Sequence, residues 1–100
     1  MMKMEIEIDE EKIIENNEYS VKEVYEKIND IAKNAGITKR EKCGLFVGND
    51  DEKDFAHFGI IILDLKNEEW FMLYVKKWIW YVEGEAEDIL EHYRQKRVAV

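Results

Sequence analysis

Half of the aromatic side chains of this 100-residue chain lie within positions 70–81, and all three tryptophans are among them. Aromatic rings bury more apolar surface than other side chains, and a chain of this length has few of them with which to build a core. This aromatic segment, residues 67–82, is therefore expected to supply much of the core. It also carries more apolar surface than one side of a helix can hide, so it is the best sequence indication of a partner.

A helix is the predicted conformation of the aromatic segment. Asn67 would cap its start, and the acidic Glu68 and Glu69 suit the positive end of the helix dipole. In a helix, most of the aromatic side chains fall within about 140° of one another, whereas a strand would carry apolar side chains on both faces. One flank of the helix would then be buried and the other would face outward.

Two large apolar side chains, Leu73 and Trp80, fall on the outward flank of this predicted helix, beside Lys76 and Lys77. Tryptophan is enriched at interface hot spots, and apolar groups rimmed by polar ones are typical of contact surfaces. These four residues are therefore candidates for contact with another protein. The alternative is that the last helix of the chain folds over Leu73 and Trp80 and buries them.

Two other elements have strong sequence signals. Residues 2–8 alternate between apolar and charged side chains, which predicts a strand with one buried face and one wet, acidic face. Ser20 and Glu23 have the spacing of a capping box and precede an apolar stripe at helical spacing. This pattern predicts a helix that ends at Gly36.

The remaining segments complete an α+β fold. Residues 42–48 and 55–65 are predicted to be strands joined by a polar loop, and the second is apolar on both faces because of three consecutive isoleucines. Residues 85–97 are expected to form a last helix. The predicted order is β-α-β-β-α-α in a single domain, residues 1–100. The sheet would be three-stranded and mixed, with its third strand central and the helices packed on one face.

The chain is acidic, with 23 Asp and Glu residues against 15 Lys and Arg and a net charge of −8. A negative surface repels phosphates, so direct nucleic-acid binding is not expected, whereas a basic protein would be attracted. No apolar run is long enough to span a membrane, and the lone Cys43 suits a reducing compartment. The sequence therefore predicts a cytoplasmic protein without a membrane partner.

No catalytic, cofactor or metal site is predicted. Cys43, His57 and His92 are isolated in the sequence and lack the spacing of a metal site. The loop 50–54 is acidic, but an EF-hand begun at its first residue lacks the required glycine and final glutamate, so a solvated turn is expected. Cys43 and His57 are expected on adjacent strands of one hairpin, yet no third group completes a nucleophilic site. An enzyme is therefore not predicted.

A family resemblance is carried by five segments: IEIDEEKI from Ile6, the helix start YS-x-x-x-x-YEKI from Tyr19, DFAHFGIIILDL from Asp54, EWFMLYVKKWIWY from Glu69 and DILEHY from Asp88. On these segments, most of the chain resembles a family of small uncharacterised acidic proteins common in Gram-positive anaerobes. The resemblance implies a bacterial, cytoplasmic protein. It implies no activity, cofactor or catalytic residue.

Size, charge and the aromatic segment together favour a non-enzymatic protein-interaction domain. Its candidate contact residues come from the predicted aromatic helix and the acidic first strand: Leu73, Lys76, Lys77, Trp80, Glu5 and Glu7. Its partner would be a second copy of the chain, forming a homodimer, or a basic protein. The alternative hypothesis is an inhibitor of a basic partner, such as an immunity protein, an antitoxin or a nucleic-acid mimic encoded by a mobile element.

Overall fold

The computed structural model describes residues 1–98, which form five helices and five strands. In chain order the elements are β1 (Lys3–Ile8), α1 (Glu10–Asn16), α2 (Val21–Asn34), β2 (Lys39–Lys42), β3 (Leu45–Val47), α3 (Asp54–Lys66), α4 (Glu69–Tyr74), β4 (Val75–Val82), β5 (Glu85–Asp88) and α5 (Ile89–Val98). The strands form one sheet in the order β2-β3-β1-β4-β5, and each neighbouring pair is antiparallel. The predicted α+β class is confirmed.

The sheet itself differs from the prediction, which was three-stranded and mixed with its third strand central. It has five antiparallel strands, and β1 lies at its centre between β3 and β4. The difference has three sources. The segment predicted to be the central strand is a helix, and two of the five strands lie in segments that were predicted to be helical. The single strand predicted over 42–48 is shorter, as β3, and a separate strand, β2, precedes it.

β1 and α2 match the sequence patterns that predict them. In β1, Met4, Ile6 and Ile8 are buried, while the alternate side chains point to the other face of the sheet. At the start of α2, the Ser20 hydroxyl accepts the Glu23 N–H at 3.0 Å, and the Glu23 carboxylate accepts the Ser20 N–H at 3.3 Å. The predicted capping box is therefore confirmed.

The segment 55–65 is helix α3, and its prediction as a strand is wrong. The side chains that α3 buries are spaced as i, i+3, i+4 and i+7, which places them on one face of a helix: Phe58, Ile61, Ile62 and Leu65. Because its other side is also apolar, the segment satisfies the pattern of a doubly buried strand as well. The β-branched run favours a strand only weakly, so packing in the folded chain decides the conformation.

The aromatic segment is half helix and half strand, so the prediction of one helix is wrong. α4 forms its first part, and β4 forms its second part and pairs with β1. The register of that pairing shifts between Glu7–Lys77 and Ile8–Val75, which leaves Lys76 as an extra residue in a β-bulge. Regular alternation begins only after the bulge, and this interruption hides the strand pattern in the sequence.

The predicted last helix, 85–97, begins later than expected, at Ile89. Glu83 and Gly84 both have left-handed backbones, with φ of 47° and 82°, as in the two-residue turns that join antiparallel strands. This turn folds β5 back onto β4, so the residues after it are extended rather than helical.

Trp78 lies at the centre of the core. Its ring packs edge-on against Phe71 with centroids 4.9 Å apart, and it stacks on Tyr93 at 5.9 Å. Its indole N–H donates to the Met4 sulfur at 3.4 Å. All five helices contribute buried side chains to one cluster with the inward-facing residues of the sheet. The expectation that the aromatic segment supplies much of the core is confirmed.

Candidate protein-interaction surfaces

Leu73 and Trp80 do not form the outward-facing pair that a helical segment would produce. Trp80 is only 7% exposed, because β4 directs its ring toward α3. There it packs against Phe55 and Phe58, with centroids 5.2 and 6.3 Å away. Leu73 is exposed, as predicted, but it lies on α4. The prediction for Trp80 is wrong since a strand alternates its side chains, whereas the prediction assumed a helical period.

The other four predicted contact residues lie together on the face of the sheet that is turned away from the core. They are paired with one another: Lys77 Nζ lies 3.2 Å from Glu5 Oε1, and Lys76 Nζ lies 3.2 Å from Glu7 Oε1. The Tyr81 hydroxyl also donates to Glu5 Oε1, at 3.0 Å. The pairing of β1 with β4 brings these side chains together, and it gives this open sheet face a mixed, balanced charge.

The electrostatics of the open sheet face follow from these contacts. The hydrogen bond from Tyr81 is the main cause that lowers the pKa of Glu5, with a further contribution from Lys77, while partial burial opposes both. Contact with Glu5 raises the pKa of Lys77, and contact with Glu7 raises that of Lys76. Exposed ion pairs of this kind contribute little to stability. They do mean that Glu5 and Glu7 offer little free negative charge to a basic protein.

A different surface is both apolar and exposed. It is the α3 outer face, on the side of α3 that is not packed into the core: Phe55, Ala56, Gly59, Ile60 and Leu63. Phe55 lies at its edge, where its ring packs against Trp80, and the exposed Asp64 lies one turn after Ile60. Phe55, Ile60 and Leu63 are 61%, 45% and 53% exposed. A surface helix normally carries polar residues on its outer side. Exposure of three large apolar side chains on this side makes it a candidate contact surface.

A buried carboxylate fixes the position of α3 at its first residue. The two oxygens of Asp54 accept the N–H groups of Asn49 at 2.9 Å and Asp50 at 2.8 Å. Burial alone would raise the pKa of Asp54, but these bonds, together with one from Asp51, lower it below its ordinary value. Gly48 leaves the room for this, because a Cβ there would lie 2.5 Å from a carboxylate oxygen. The loop predicted to be a solvated turn is thus organised around a buried group.

Cys43 and His57, which were expected on adjacent strands of one hairpin, do not lie on adjacent strands. Cys43 is exposed in the turn between β2 and β3, whereas His57 is on α3 with its ring beside Gly36. Within residues 1–98, no group of three or more His, Cys, Asp or Glu side chains is placed to hold a metal ion. None of the helices in this described part is long and apolar enough to cross a membrane.

The α3 outer face is not recognisable from the sequence, because the pattern of its segment predicts a strand. A signal for the helix is present, since Phe55, Gly59 and Leu63 recur at intervals of four, as the buried Phe58, Ile61 and Leu65 recur at intervals of three and four. Both sets are apolar, so neither one reveals which side of the segment faces the core. That distinction requires the packing of the folded chain.

Comparison with known proteins gives no family for the chain: no protein-family model matches it, and no curated protein matches it. Its function is therefore inferred from the surfaces of the folded chain. Among the residues that the structure describes, six large apolar side chains are exposed, and three of them lie together on the α3 outer face.

Proposed function

We propose that this protein is a cytoplasmic, non-enzymatic protein-interaction domain that binds its partner through the α3 outer face. The observation that supports this is the exposure of Phe55, Ile60 and Leu63 on a helix whose opposite side is packed into the core. Leaving such side chains in water is unfavourable, and burying them against a partner recovers roughly 25 cal/mol per Å² of apolar surface. The contact is therefore driven by apolar burial, and its partner presents an apolar surface of its own.

Two other broad surfaces of the molecule are well solvated. The outer side of α2 carries exposed charged residues, among them Lys22, Glu26 and Lys33. The open sheet face carries paired glutamates and lysines. An antiparallel sheet commonly has one solvated face and needs no partner there. Neither surface calls for a second molecule, whereas the α3 outer face does.

The inhibitor or antitoxin-like alternative depends on free negative charge. The net charge of −8 favours attraction to a basic protein. However, Glu5 and Glu7, the acidic residues expected to make that contact, are paired with the chain's own lysines. Salt separates the two mechanisms, because screening weakens charge-driven binding above roughly 0.3 M salt while an apolar contact persists.

A matched pair of double variants tests the proposed surface. Ile60→Lys combined with Leu63→Lys places two charges on the α3 outer face. Ile14→Lys combined with Leu73→Lys makes the same two chemical changes at exposed positions on α1 and α4. All four side chains are already exposed, so both variants are expected to fold like the wild type.

Tagged wild type and both variants are used to capture proteins from a cytoplasmic extract of the source cells at low salt and at roughly 0.5 M salt. Each captured protein, including untagged copies of this chain, is then purified and titrated against all three. We expect a partner that binds the wild type and the control variant equally and binds the α3 variant at least about tenfold more weakly, at both salt concentrations. Equal binding to all three contradicts the proposal. Binding that high salt abolishes favours the inhibitor-like alternative.

A further inference from the structure

We infer that the occupant of the α3 outer face is a second copy of this chain, with the two α3 helices packed antiparallel about a two-fold axis beside Gly59. This inference rests on the proposed function, because it names the partner of the same surface. Four features of the chain carry it: the symmetry of the face, the charges at its ends, the glycine at its centre and the lack of charge beside that glycine.

The residues of this face are arranged symmetrically about Gly59. Phe55 and Leu63 lie four positions to either side of it, and Glu52 and Lys66 lie seven positions to either side. Positions four and seven apart share one side of a helix. Glu52 itself lies in the turn directly before α3, at that end of the face. A two-fold axis beside Gly59 therefore places Phe55 against the partner's Leu63. An interface between identical subunits requires a surface that is self-complementary in this way.

The charges at the two ends favour the antiparallel arrangement. Glu52 and Lys66 are both exposed, and the Lys66 ammonium stands over the Tyr93 ring at 5.4 Å from its centroid. An antiparallel pair places each Glu52 next to the partner's Lys66, so that opposite charges meet at both ends. A parallel pair would bring like charges together at both ends and would also align the two helix dipoles unfavourably.

The centre of the face is uncharged, which matters for a chain of net charge −8. Two such chains repel each other at long range, so they can associate only through a surface that does not bring acidic groups together. The five residues of the α3 outer face carry no charge, and the exposed Asp64 lies one turn after Ile60, on the side of the face away from Gly59. A basic partner, in contrast, would gain nothing from this face and would be drawn to acidic surfaces elsewhere.

Gly59 has no evident role in a single copy. It lies inside α3, where its backbone is helical, and glycine is a poor helix former. A Cβ added there would meet no atom of the chain within 4 Å, so packing inside the monomer does not require a glycine. Close approach of a second helix does require a small residue at the crossing point, and Ala56 is small as well. The glycine is thus explained by a partner helix that crosses α3 at this position.

The contact is modest in size. α3 has 13 residues, which corresponds to a length of about 20 Å. A single helix pair of this length falls short of the roughly 1,600 Å² that a standard interface buries. The dimer is therefore expected to dissociate in the micromolar range, where changes in protein concentration shift it measurably.

Sedimentation of the full-length protein over roughly 5 to 500 μM tests the inference. We expect the wild type and the Ile14→Lys, Leu73→Lys control to change from single copies to dimers across this range. The Ile60→Lys, Leu63→Lys variant should remain a single copy throughout, with a circular dichroism spectrum like that of the wild type. A wild type that stays single overturns the homodimer but leaves the capture experiment to decide the proposed function. If the Ile60→Lys, Leu63→Lys variant dimerises like the wild type, the α3 outer face is not the interface.

Disulfide cross-linking tests the antiparallel arrangement. Phe55→Cys and Leu63→Cys are made in separate chains that also carry Cys43→Ser, which removes the native exposed thiol. In the antiparallel dimer, identical positions lie about 12 Å apart along the helix axis, too far for a disulfide, so each chain alone should not cross-link. A mixture of the two should cross-link between position 55 and position 63. Cross-linking of either chain alone indicates a parallel pair, and a dimer without cross-links contradicts an axis beside Gly59.

Discussion

α2 and α3 are neighbouring helices of similar length, 14 and 13 residues, that pack against each other over the same core. Each buries one apolar side. The outer side of α2 is charged, with Lys22, Glu26 and Lys33 exposed to water. The outer side of α3 is mostly apolar, although it includes the exposed Asp64. The fold requires only the inner sides of the two helices. The fold therefore does not account for the difference between their outer sides, and this difference is the reason for proposing a partner for α3.

The two helices also begin differently. α2 starts at a capping box on the surface, formed by Ser20 and Glu23. α3 starts at the buried carboxylate of Asp54, which holds the preceding loop through backbone hydrogen bonds. A binding surface works best on an element whose position is fixed by buried contacts. α3, which carries the α3 outer face, is thus the helix whose start is held by a buried side chain.

The largest expected effect tests whether the inner sides of the two helices are equivalent. Ile28 on α2 and Ile61 on α3 are both fully buried. We expect Ile28→Ala and Ile61→Ala each to lower the free energy of unfolding by about 2–5 kcal/mol, because each leaves a cavity in the shared core. Urea denaturation at low protein concentration measures both. As a control, Ile60→Ala should cost less than about 1 kcal/mol, since that side chain is half-exposed. A loss of unfolding free energy for Ile61→Ala as small as that for Ile60→Ala would show that α3 is packed less tightly than α2.

The next effect concerns the starts of the helices. Asp54→Asn is expected to lower the free energy of unfolding at neutral pH by about 2 kcal/mol, because it removes a buried charge that accepts several backbone N–H groups. Ser20→Ala on α2 should cost about 1 kcal/mol, since it removes an exposed cap. Urea denaturation of both variants compares the contributions of Asp54 and Ser20 to the free energy of unfolding.

The pH dependence of the Asp54 variant provides its control. The pKa of Asp54 is lower in the folded chain than its ordinary value. Its contribution to stability is therefore complete above the unfolded pKa of about 3.9 and is lost as the pH falls through the folded pKa. The wild type and Asp54→Asn should accordingly converge in stability in that acidic range. If the difference in unfolding free energy between the wild type and Asp54→Asn stays constant with pH, the charge of the carboxylate is not what stabilises the start of α3.

The smallest expected effect lies on the α3 outer face itself. Gly59→Ala should raise the free energy of unfolding of single copies by about 0.5–1 kcal/mol, because alanine favours the helix and its Cβ meets no other atom of the chain. Thermal unfolding at low protein concentration measures the gain. Gly44→Ala is the contrasting variant: Gly44 has φ of 83°, and a Cβ there would clash with the carbonyl oxygen of Ile6, so this change should destabilise. A loss of stability in Gly59→Ala would mean that the monomer does need this glycine.

β1 and α2 could be predicted from the sequence because their signals are local. In β1, charged residues alternate with Met4, Ile6 and Ile8, so only a strand places the apolar set on one face. In α2, the capping box marks the start, and charged residues on the outer side make the helical period visible. Each element contains its own polar side, which shows directly which face must be buried.

The candidate site could be predicted only in part. Glu5, Glu7, Lys76 and Lys77 are near one another, but as ion pairs across β1 and β4 rather than as a free binding surface. Their proximity depends on which strands are neighbours in the sheet, and residues so far apart in sequence contain no signal for that. Trp80 was predicted to be a contact residue but is part of the core, for the same reason. It lies on β4, and pairing with β1 makes that segment a strand.

The sequence by itself determined the acidic charge, the α+β class, the elements with alternating or capped patterns and the role of the aromatic segment as core material. Only the tertiary structure decided the conformation of α3 and β4, and which side of α3 remains uncovered. The physical reason is that hydrophobic burial has no direction. A segment that is apolar all round is stabilised by any conformation that removes it from water, so its neighbours, and not its own residues, choose between helix and strand.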